Sequence, residues 1–313
     1  MNAKIERDIR IILVVENNTP EGLISEHGFS AWIEVGDMHF LFDTGQGSAL
    51  QHNAHRLGIE LGQAEALILS HGHYDHTGAI PAFLAENSSA TVLYGKGANV
   101  RRFSCHPNQP PKPVGISDDV IYALNQLPPE RRIELDAPRY FAPGIGLTGP
   151  IPRLTLFEDT GGPFYLDENK KQPDLINDDL SLWFETTQGL VILTGCCHSG
   201  LINTVSYIRL ITGIDRVHGI IGGLHLLNAS IERLEATLRF LAEIQPDFLV
   251  PCHCTGTHVA ELLLQKFGDA VVKPGGAGMK IYAGSQKTES VLDSKKYPTR
   301  QYKHRDSLTR AED

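Results

Sequence analysis

The residues that could do chemistry are concentrated in one stretch, 67–78, which reads LILSHGHYDHTG. An apolar, β-type run over 66–69 ends in a small polar residue, Ser70. Four potential metal ligands follow within six positions: His71, His73, Asp75 and His76. Neutral imidazole and carboxylate are donors that divalent zinc, manganese or iron accept. His71 and His73 lie two apart, so in an extended segment leaving a strand both rings point to one side. The turn at Tyr74 and Asp75 then aims Asp75 and His76 at a neighbouring point, which suits a second metal about 3.5–4 Å away. A merely solvated loop gives no reason to pack four such donors directly behind a strand.

Other donors stand at similar places further along. The segment 190–194 (LVILT) reads as a strand and runs into Thr194-Gly195-Cys196-Cys197-His198-Ser199-Gly200. A strand over 217–221 leads to Gly222-Gly223-Leu224-His225, and one over 248–250 leads to Pro251-Cys252-His253-Cys254. A two-metal site needs about three more protein ligands beyond the first cluster, and His198, His225 and His253 are the candidates. His225 is also a candidate for the catalytic chemistry itself, as is Asp75, which could be a ligand or a proton acceptor.

The elements that must position these residues follow from periodicity. Residues 9–15 (IRIILVV) form an apolar, β-branched run, as expected of a largely buried strand. Residues 29–35 and 38–42 flank the Gly36–Asp37 turn and read as a hairpin closing on Asp43-Thr44-Gly45. His27, just before it, either faces the pocket or is an ordinary loop histidine. Residues 48–57 read as a helix with Ser48 as N-cap and Gly58 as its stop; His52 and His55, three apart on it, are either a ligand pair or part of a partly exposed face. A helix over 77–86 tolerates Pro81 in its first turn, and a strand follows over 91–94. After a hairpin over 180–185 and 190–194, helices are expected over 201–211, 229–244 and 259–267. Strands and helices in this order make a layered α/β chain. The two halves read as one ββαβ-type unit used twice within a single domain over 1–284.

The segment 95–153 breaks the rhythm with prolines and arginines, and a stretch of this kind inside a compact domain is usually functional. It reads as an inserted lid lining the cleft. Its Arg101, Arg102 and Arg153 are candidate anchors for a phosphate, which arginine grips bidentately. The tail over 285–313 is polar and aperiodic and reads as extended or disordered, with His304 in it no ligand. The Gly275-Gly276-Ala277-Gly278 stretch lacks the Lys-Ser/Thr of a phosphate loop and reads as a tight turn.

Composition excludes several classes. The chain has 313 residues, 41% of them hydrophobic, enough for one large core or two modest ones. A net charge of −9 argues against a nucleic-acid binder, since phosphate backbones demand a basic surface. No run approaches the roughly 18–20 apolar residues of a membrane span. The charged start MNAKIERDIR is not a secretory signal. Five cysteines, an odd number clustered beside histidines, do not form a disulfide framework. The expectation is a cytoplasmic protein with a small-molecule partner, open to homo-oligomer formation.

The H-x-H-x-D-H run resembles the signature of the metallo-β-lactamase superfamily, which implies an αββα sandwich carrying one or two divalent metals at one edge of its sheets. Zinc is the first expectation, with manganese, iron or magnesium as alternatives. The resemblance places Asp43 beneath the site as support for a ligand histidine and makes His253 the last metal histidine. The superfamily typically has Thr-Gly-Asp where this chain has Thr194-Gly195-Cys196. Either the Cys196 thiolate bridges a soft metal, or Cys196 is no ligand and His198 fills the place. The usual Gly-His-Thr motif is missing, and Asp178 and Asp179 lie where it would be, so Asp179 is a further supporting or ligating candidate.

Six motifs in order — EHGFS, FDTGQ, LSHGHYDHTG, LTGCCHSGLINTV, GGLHL and PCHCTG — are similar to one branch of that superfamily. It contains proteins related to 7,8-dihydropterin-6-methyl-4-(β-D-ribofuranosyl)aminobenzene-5′-phosphate synthase. That resemblance implies transfer of a dihydropterin-methyl group from a diphosphate to a phosphorylated ribosyl-aminobenzene amine. An aromatic slot in the lid, built on Phe103, Tyr140 and Phe141, would favour it. The alternatives are hydrolysis of a phosphoester, ester or lactam by metal-bound hydroxide, and a non-catalytic metal or redox sensor.

Overall fold

Period-two burial along the first strand sets the layering. In Ile9–Val15, the side chains of Ile9, Ile11 and Leu13 enter one apolar cluster and those of Ile12 and Val14 another, because successive strand side chains point to opposite faces. Both faces must therefore be covered, and they are. The computed structural model describes residues 8–284, so the tail expected over 285–313 lies outside the described residues.

The first sheet has seven strands in the order Lys280–Ala283, Ile9–Val15, Ser30–Val35, Met38–Phe42, Ala66–Leu69, Thr91–Gly95 and Arg132–Leu135. The second has six, in the order Phe248–Cys252, Val217–Gly223, Gly189–Thr194, Ser181–Thr186, Ile145–Leu147 and Arg139–Ala142. One cluster joins the inner faces, with Phe42, Ile68 and Leu93 from the first sheet and Leu182, Phe184, Leu193 and Val250 from the second. The outer face of the first sheet is covered by Leu50–Leu57, Ile80–Glu86 and Asp118–Asn125 through Leu50, Phe83 and Val120. The outer face of the second is covered by Leu201–Thr212, Ile231–Ile244 and Thr257–Phe267 through Val205, Leu241 and Leu263. This is the helix–sheet–sheet–helix sandwich expected from the sequence.

Within each sheet the strands that end at the site run parallel to a neighbour. Met38–Phe42, Ala66–Leu69 and Thr91–Gly95 are parallel, as are Gly189–Thr194, Val217–Gly223 and Phe248–Cys252. Parallel strands bring their C-terminal ends to one edge, so Asp43, Ser70, Gly195, Leu224 and His253 all emerge together. Among the described residues no helix is long and apolar enough to cross a membrane.

Local detail differs from expectation in three places. Ser48 does not cap the first helix; Ala49 is its N-cap, and the Ser48 hydroxyl donates instead to Glu26, whose carboxylate also accepts from the backbone of Gln46, Gly47, Ser48 and Ala49. The helix expected over 77–86 divides into Tyr74–Thr77 and Ile80–Glu86, with Pro81 in the first turn of the second piece. The segment 95–153 supplies an edge strand to the first sheet, Arg132–Leu135, and two strands to the second, Arg139–Ala142 and Ile145–Leu147. Its prolines flank these short strands rather than interrupting them. A small sheet of Phe103–Ser104, Lys112–Pro113 and Phe164–Tyr165 stands apart from the two main sheets.

Phe184 is fully buried in the cluster joining the sheets. Phe184→Ala is expected to destabilise the protein by about 3–5 kcal/mol, read as a lower guanidinium midpoint at unchanged slope. Leu156→Ala, at an exposed position, is expected to stay within about 0.5 kcal/mol. Equal midpoints for the two variants would contradict the layering.

Candidate metal centre

The site begins with a carboxylate beneath it. Asp43 follows Met38–Phe42 with a positive φ of 57° and is fully buried. It accepts from the backbone N–H of Ser70 and from the Ser70 hydroxyl, both at 2.7 Å, and from His76 Nδ1 at 2.7 Å. His76 Nε2 is thereby turned away from Asp43, towards Cys196 Sγ at 3.1 Å. Burial opposes a charge on His76, but Asp43 and Asp75 outweigh it and raise the imidazole pKa to about 9.

His71 is held from the same point, with Nδ1 at 2.9 Å from the Ser70 hydroxyl. Its Nε2 lies 2.9 Å from His73 Nδ1, a few tenths of an ångström closer than the roughly 3.3 Å that two nitrogens take on one tetrahedral ion with bonds of about 2.0–2.1 Å. His198 donates from Nδ1 to the carbonyl of Thr160 at 2.8 Å. Ligand atoms of His71, His73 and His198 all lie within 4.8 Å of one another. Burial, then the neighbouring imidazoles, holds the pKa of His71 and His198 well below the usual histidine value, and burial does the same for His73. All three are thus neutral bases, the form that binds metals.

A second group shares the edge. Asp75 Oδ2 lies 3.3 Å from His253 Nε2, 3.2 Å from His27 Nε2 and 3.9 Å from His76 Nε2. Burial alone would raise the Asp75 pKa, but His76, His253 and His27 hold it well below the usual range. His253 Nδ1 is bound to Asn17 Oδ1 at 2.9 Å, and its backbone N–H is held by Glu16, so Nε2 faces Asp75. His27 is half exposed at the mouth, and its pKa is raised by the bond to Asp75.

These donors fit metal ions on an observation of the chain itself. His198 Nε2 is buried without a hydrogen-bond partner, and such groups need an explanation. Here the orphan nitrogen belongs to the group formed with His71 and His73. Backbone strain gathers at the same edge: Asp43, Cys197, His225 and His253 all have positive φ, between 46° and 60°. Non-glycine residues adopt that region only where the surroundings impose it.

The remaining candidates are divided. His225 lies beside His198, ring centroids 4.2 Å apart, and its donor atom is within 4.8 Å of Cys196 and Cys254. Asp179 accepts from the Ser199 backbone at 2.8 Å and leaves Oδ1 buried and unpartnered. Arg102, expected as a phosphate anchor, is buried and paired with Asp174 at 2.8 Å and with Asp178. Asp178 also accepts from the backbone N–H of Gly72 at 2.8 Å, so this arginine braces the turn between His71 and His73. A buried guanidinium needs such partners and has no free edge for a substrate. Arg153 donates to the carbonyls of Leu175 and Glu158, and Arg101 is exposed.

The aromatic slot expected on Phe103, Tyr140 and Phe141 does not form there. Tyr140 packs on Trp183 and Phe141 on Phe40, in the sandwich. Phe164 takes the aromatic place at the site instead, 5.0 Å from the ring of His73 and 5.6 Å from that of His198. No periodic or motif signal in the sequence singles out Phe164. Asn17 and the Thr160 carbonyl were equally invisible, because both act through contacts distant in sequence.

A family model described as the metallo-beta-lactamase superfamily matches residues 26–104. An uncharacterized protein of Methanocaldococcus jannaschii is 30% identical over 249 residues, covering 79% of this chain and 90% of that one. The 7,8-dihydropterin-6-methyl-4-(beta-D-ribofuranosyl)-aminobenzene-5′-phosphate synthase of the same organism is 28% identical over 261 residues, covering 78% of this chain and 85% of that one. The crystal structure of a metal-dependent hydrolase of the beta-lactamase superfamily superposes with a TM-score of 0.73 at 27% identity, covering 88% of this chain and all of that one (100%).

Burial raises the Asp179 pKa from 3.8 to about 6. The folded chain then binds that proton more tightly than the unfolded chain, so this group's contribution to stability falls as pH rises from about 4 to about 6. In metal-free protein, Asp179→Asn is expected to remove that fall. Guanidinium unfolding in chelator across this range measures it, and a slope equal to that of the wild type would contradict the assignment.

Proposed function

The chain belongs to the metallo-beta-lactamase superfamily, and from that premise we propose that it is a metal-dependent enzyme acting on a phosphorylated small molecule. One divalent ion would be held by His71, His73 and His198, and a second by Asp75, His76 and His253. The observation that carries this reading is the convergence of neutral imidazoles on an edge where His198 Nε2 is buried and unpartnered. So many imidazoles suit zinc or iron better than magnesium, which prefers oxygen. Bound there, such ions act as Lewis acids on a leaving group and lower the pKa of a bound water.

The chain's own residues supply orientation. Asp43, the Ser70 hydroxyl, the Thr160 carbonyl and Asn17 each hold one histidine by Nδ1, which fixes the ring and presents Nε2. Asp75, kept ionised by the imidazoles around it, suits a ligand better than a proton acceptor. Phe164 offers an aromatic face beside His73 and His198, against which a planar ring can stack. Of the three candidate arginines, exposed Arg101 is the one best placed to take a phosphate, because Arg102 is engaged with Asp174 and Asp178 and Arg153 with the carbonyls of Leu175 and Glu158.

Among reactions open to such a site, we favour group transfer of the type named for the M. jannaschii synthase. Its support is the 28% identity over 85% of that relative and the aromatic face of Phe164. An aromatic amine would attack a methylene carbon, forming a C–N bond as the C–O bond to a departing diphosphate breaks, and the amine would lose its proton. Hydrolysis is the second reading. It uses the same residues with water as nucleophile, and the hydrolase named for the neighbour at TM-score 0.73 favours it.

Purified protein is expected to carry metal at both groups and to turn over a dihydropterin-methyl diphosphate with an aromatic amine faster than bis(p-nitrophenyl) phosphate. The reverse preference would move the assignment to hydrolysis. His198→Ala is expected to lose about one metal equivalent and several kcal/mol of charge stabilisation, about 100-fold or more in kcat/KM. Full activity in chelator would overturn the reading altogether.

A further inference from the structure

Cys196, His225 and Cys254 have no part in the reading above, yet the fold brings them together. Each follows one of three adjacent parallel strands of the second sheet: Gly189–Thr194, Val217–Gly223 and Phe248–Cys252. Their donor atoms lie within 4.8 Å of one another. Tetrahedral zinc, with bonds of about 2.3 Å to sulfur and about 2.0 Å to nitrogen, spaces such donors roughly 3.5–3.8 Å apart. Closure from 4.8 Å therefore asks each donor pair to approach by at most about 1.3 Å.

Two of the three, Cys254 and His225, are only weakly held by the rest of the protein. Both thiols are buried and free of disulfides. The Cys254 thiol reaches the Cys196 carbonyl at 3.5 Å and interacts with the Cys196 and His225 side chains, and His225 Nδ1 is buried without a hydrogen-bond partner. Two glycines make room for them. A Cβ at Gly223 would crowd the Cys254 sulfur, and a Cβ at Gly161 would overlap the His225 ring. Gly161 lies in the same loop as Thr160, whose carbonyl holds His198.

We propose that Cys196, His225 and Cys254 form a further metal site, thiolate-rich and selective for a thiophilic divalent ion of the zinc type. Sulfur donors exclude magnesium and manganese. Two thiolates with a neutral imidazole balance the dication, so the buried site carries no net charge, and any proton on either sulfur leaves to solvent on binding. Its donors are distinct from the imidazole and carboxylate groups assigned above. Cys196 is the link between them, because its sulfur lies 3.1 Å from His76 Nε2. A thiolate there joins the further ion to the histidine groups without altering which residues form them.

Cobalt(II) loading of the reduced, full-length protein tests the site. The wild type is expected to show thiolate-to-cobalt charge-transfer absorption and to bind one equivalent more than Cys254→Ser or His225→Ala. Cys254→Ser should weaken the band and His225→Ala should lower cobalt affinity, each with the far-ultraviolet circular dichroism of the wild type. Cys252→Ser is the control, since that thiol donates to the Val250 carbonyl in its own strand; it should leave the band intact. Absence of the band in the wild type would overturn the proposal. So would a cobalt stoichiometry that neither Cys254→Ser nor His225→Ala lowers, with only Cys196→Ser removing the band. His71→Ala and His253→Ala report on the other groups separately. If they lose no metal while the thiolate band persists, the proposed enzyme centre fails and this site stands.

Discussion

The bonds of one buried carboxylate organise the site. Asp43 grips Ser70 through both its backbone and its hydroxyl and fixes the ring of His76, so it joins the end of one strand to the turn that carries every candidate ligand of the motif. The second sheet approaches this carboxylate closely. A Cβ at position 195 would overlap the Ser70 hydroxyl and crowd Asp43, which is why a glycine precedes Cys196. A buried carboxylate with three hydrogen bonds is satisfied, and loss of one partner costs about 1–3 kcal/mol. The imidazole geometry is thus inherited from the packing of two sheets.

Much of this was legible in the sequence because it depends on local pattern. The strand over 9–15 and the hairpin closing on Asp43 appear where their β-branched runs and turn residues indicate. Gly58 ends the first helix in the left-handed conformation that its position suggested. The grouping of His71 and His73 follows from two-residue spacing behind a strand. His198 and His253 could be named because each sits just past an apolar run, and parallel strands deliver their ends to one edge.

What stayed hidden depends on contacts between residues far apart. Arg102 reads as a free cation in a proline-rich stretch, yet Asp174 and Asp178, more than 70 positions away, enclose it. The proline-rich segment looked like an insertion because its strands are only three or four residues long, below the length at which alternation shows. His27 offered a single ambiguous residue; its place beside Asp75 and His253 is set by the loop that Glu26 anchors. Phe164 reaches the histidines from a two-residue strand at the edge of the small three-stranded sheet, and no hydrophobic period marks it.

The most direct measurement is anomalous X-ray diffraction at the zinc absorption edge on crystals of zinc-loaded protein. The account predicts one peak bounded by His71, His73 and His198 and another bounded by Asp75, His76 and His253. Density with no peak at either group, and with those rings hydrogen-bonded only to one another and to water, would contradict it.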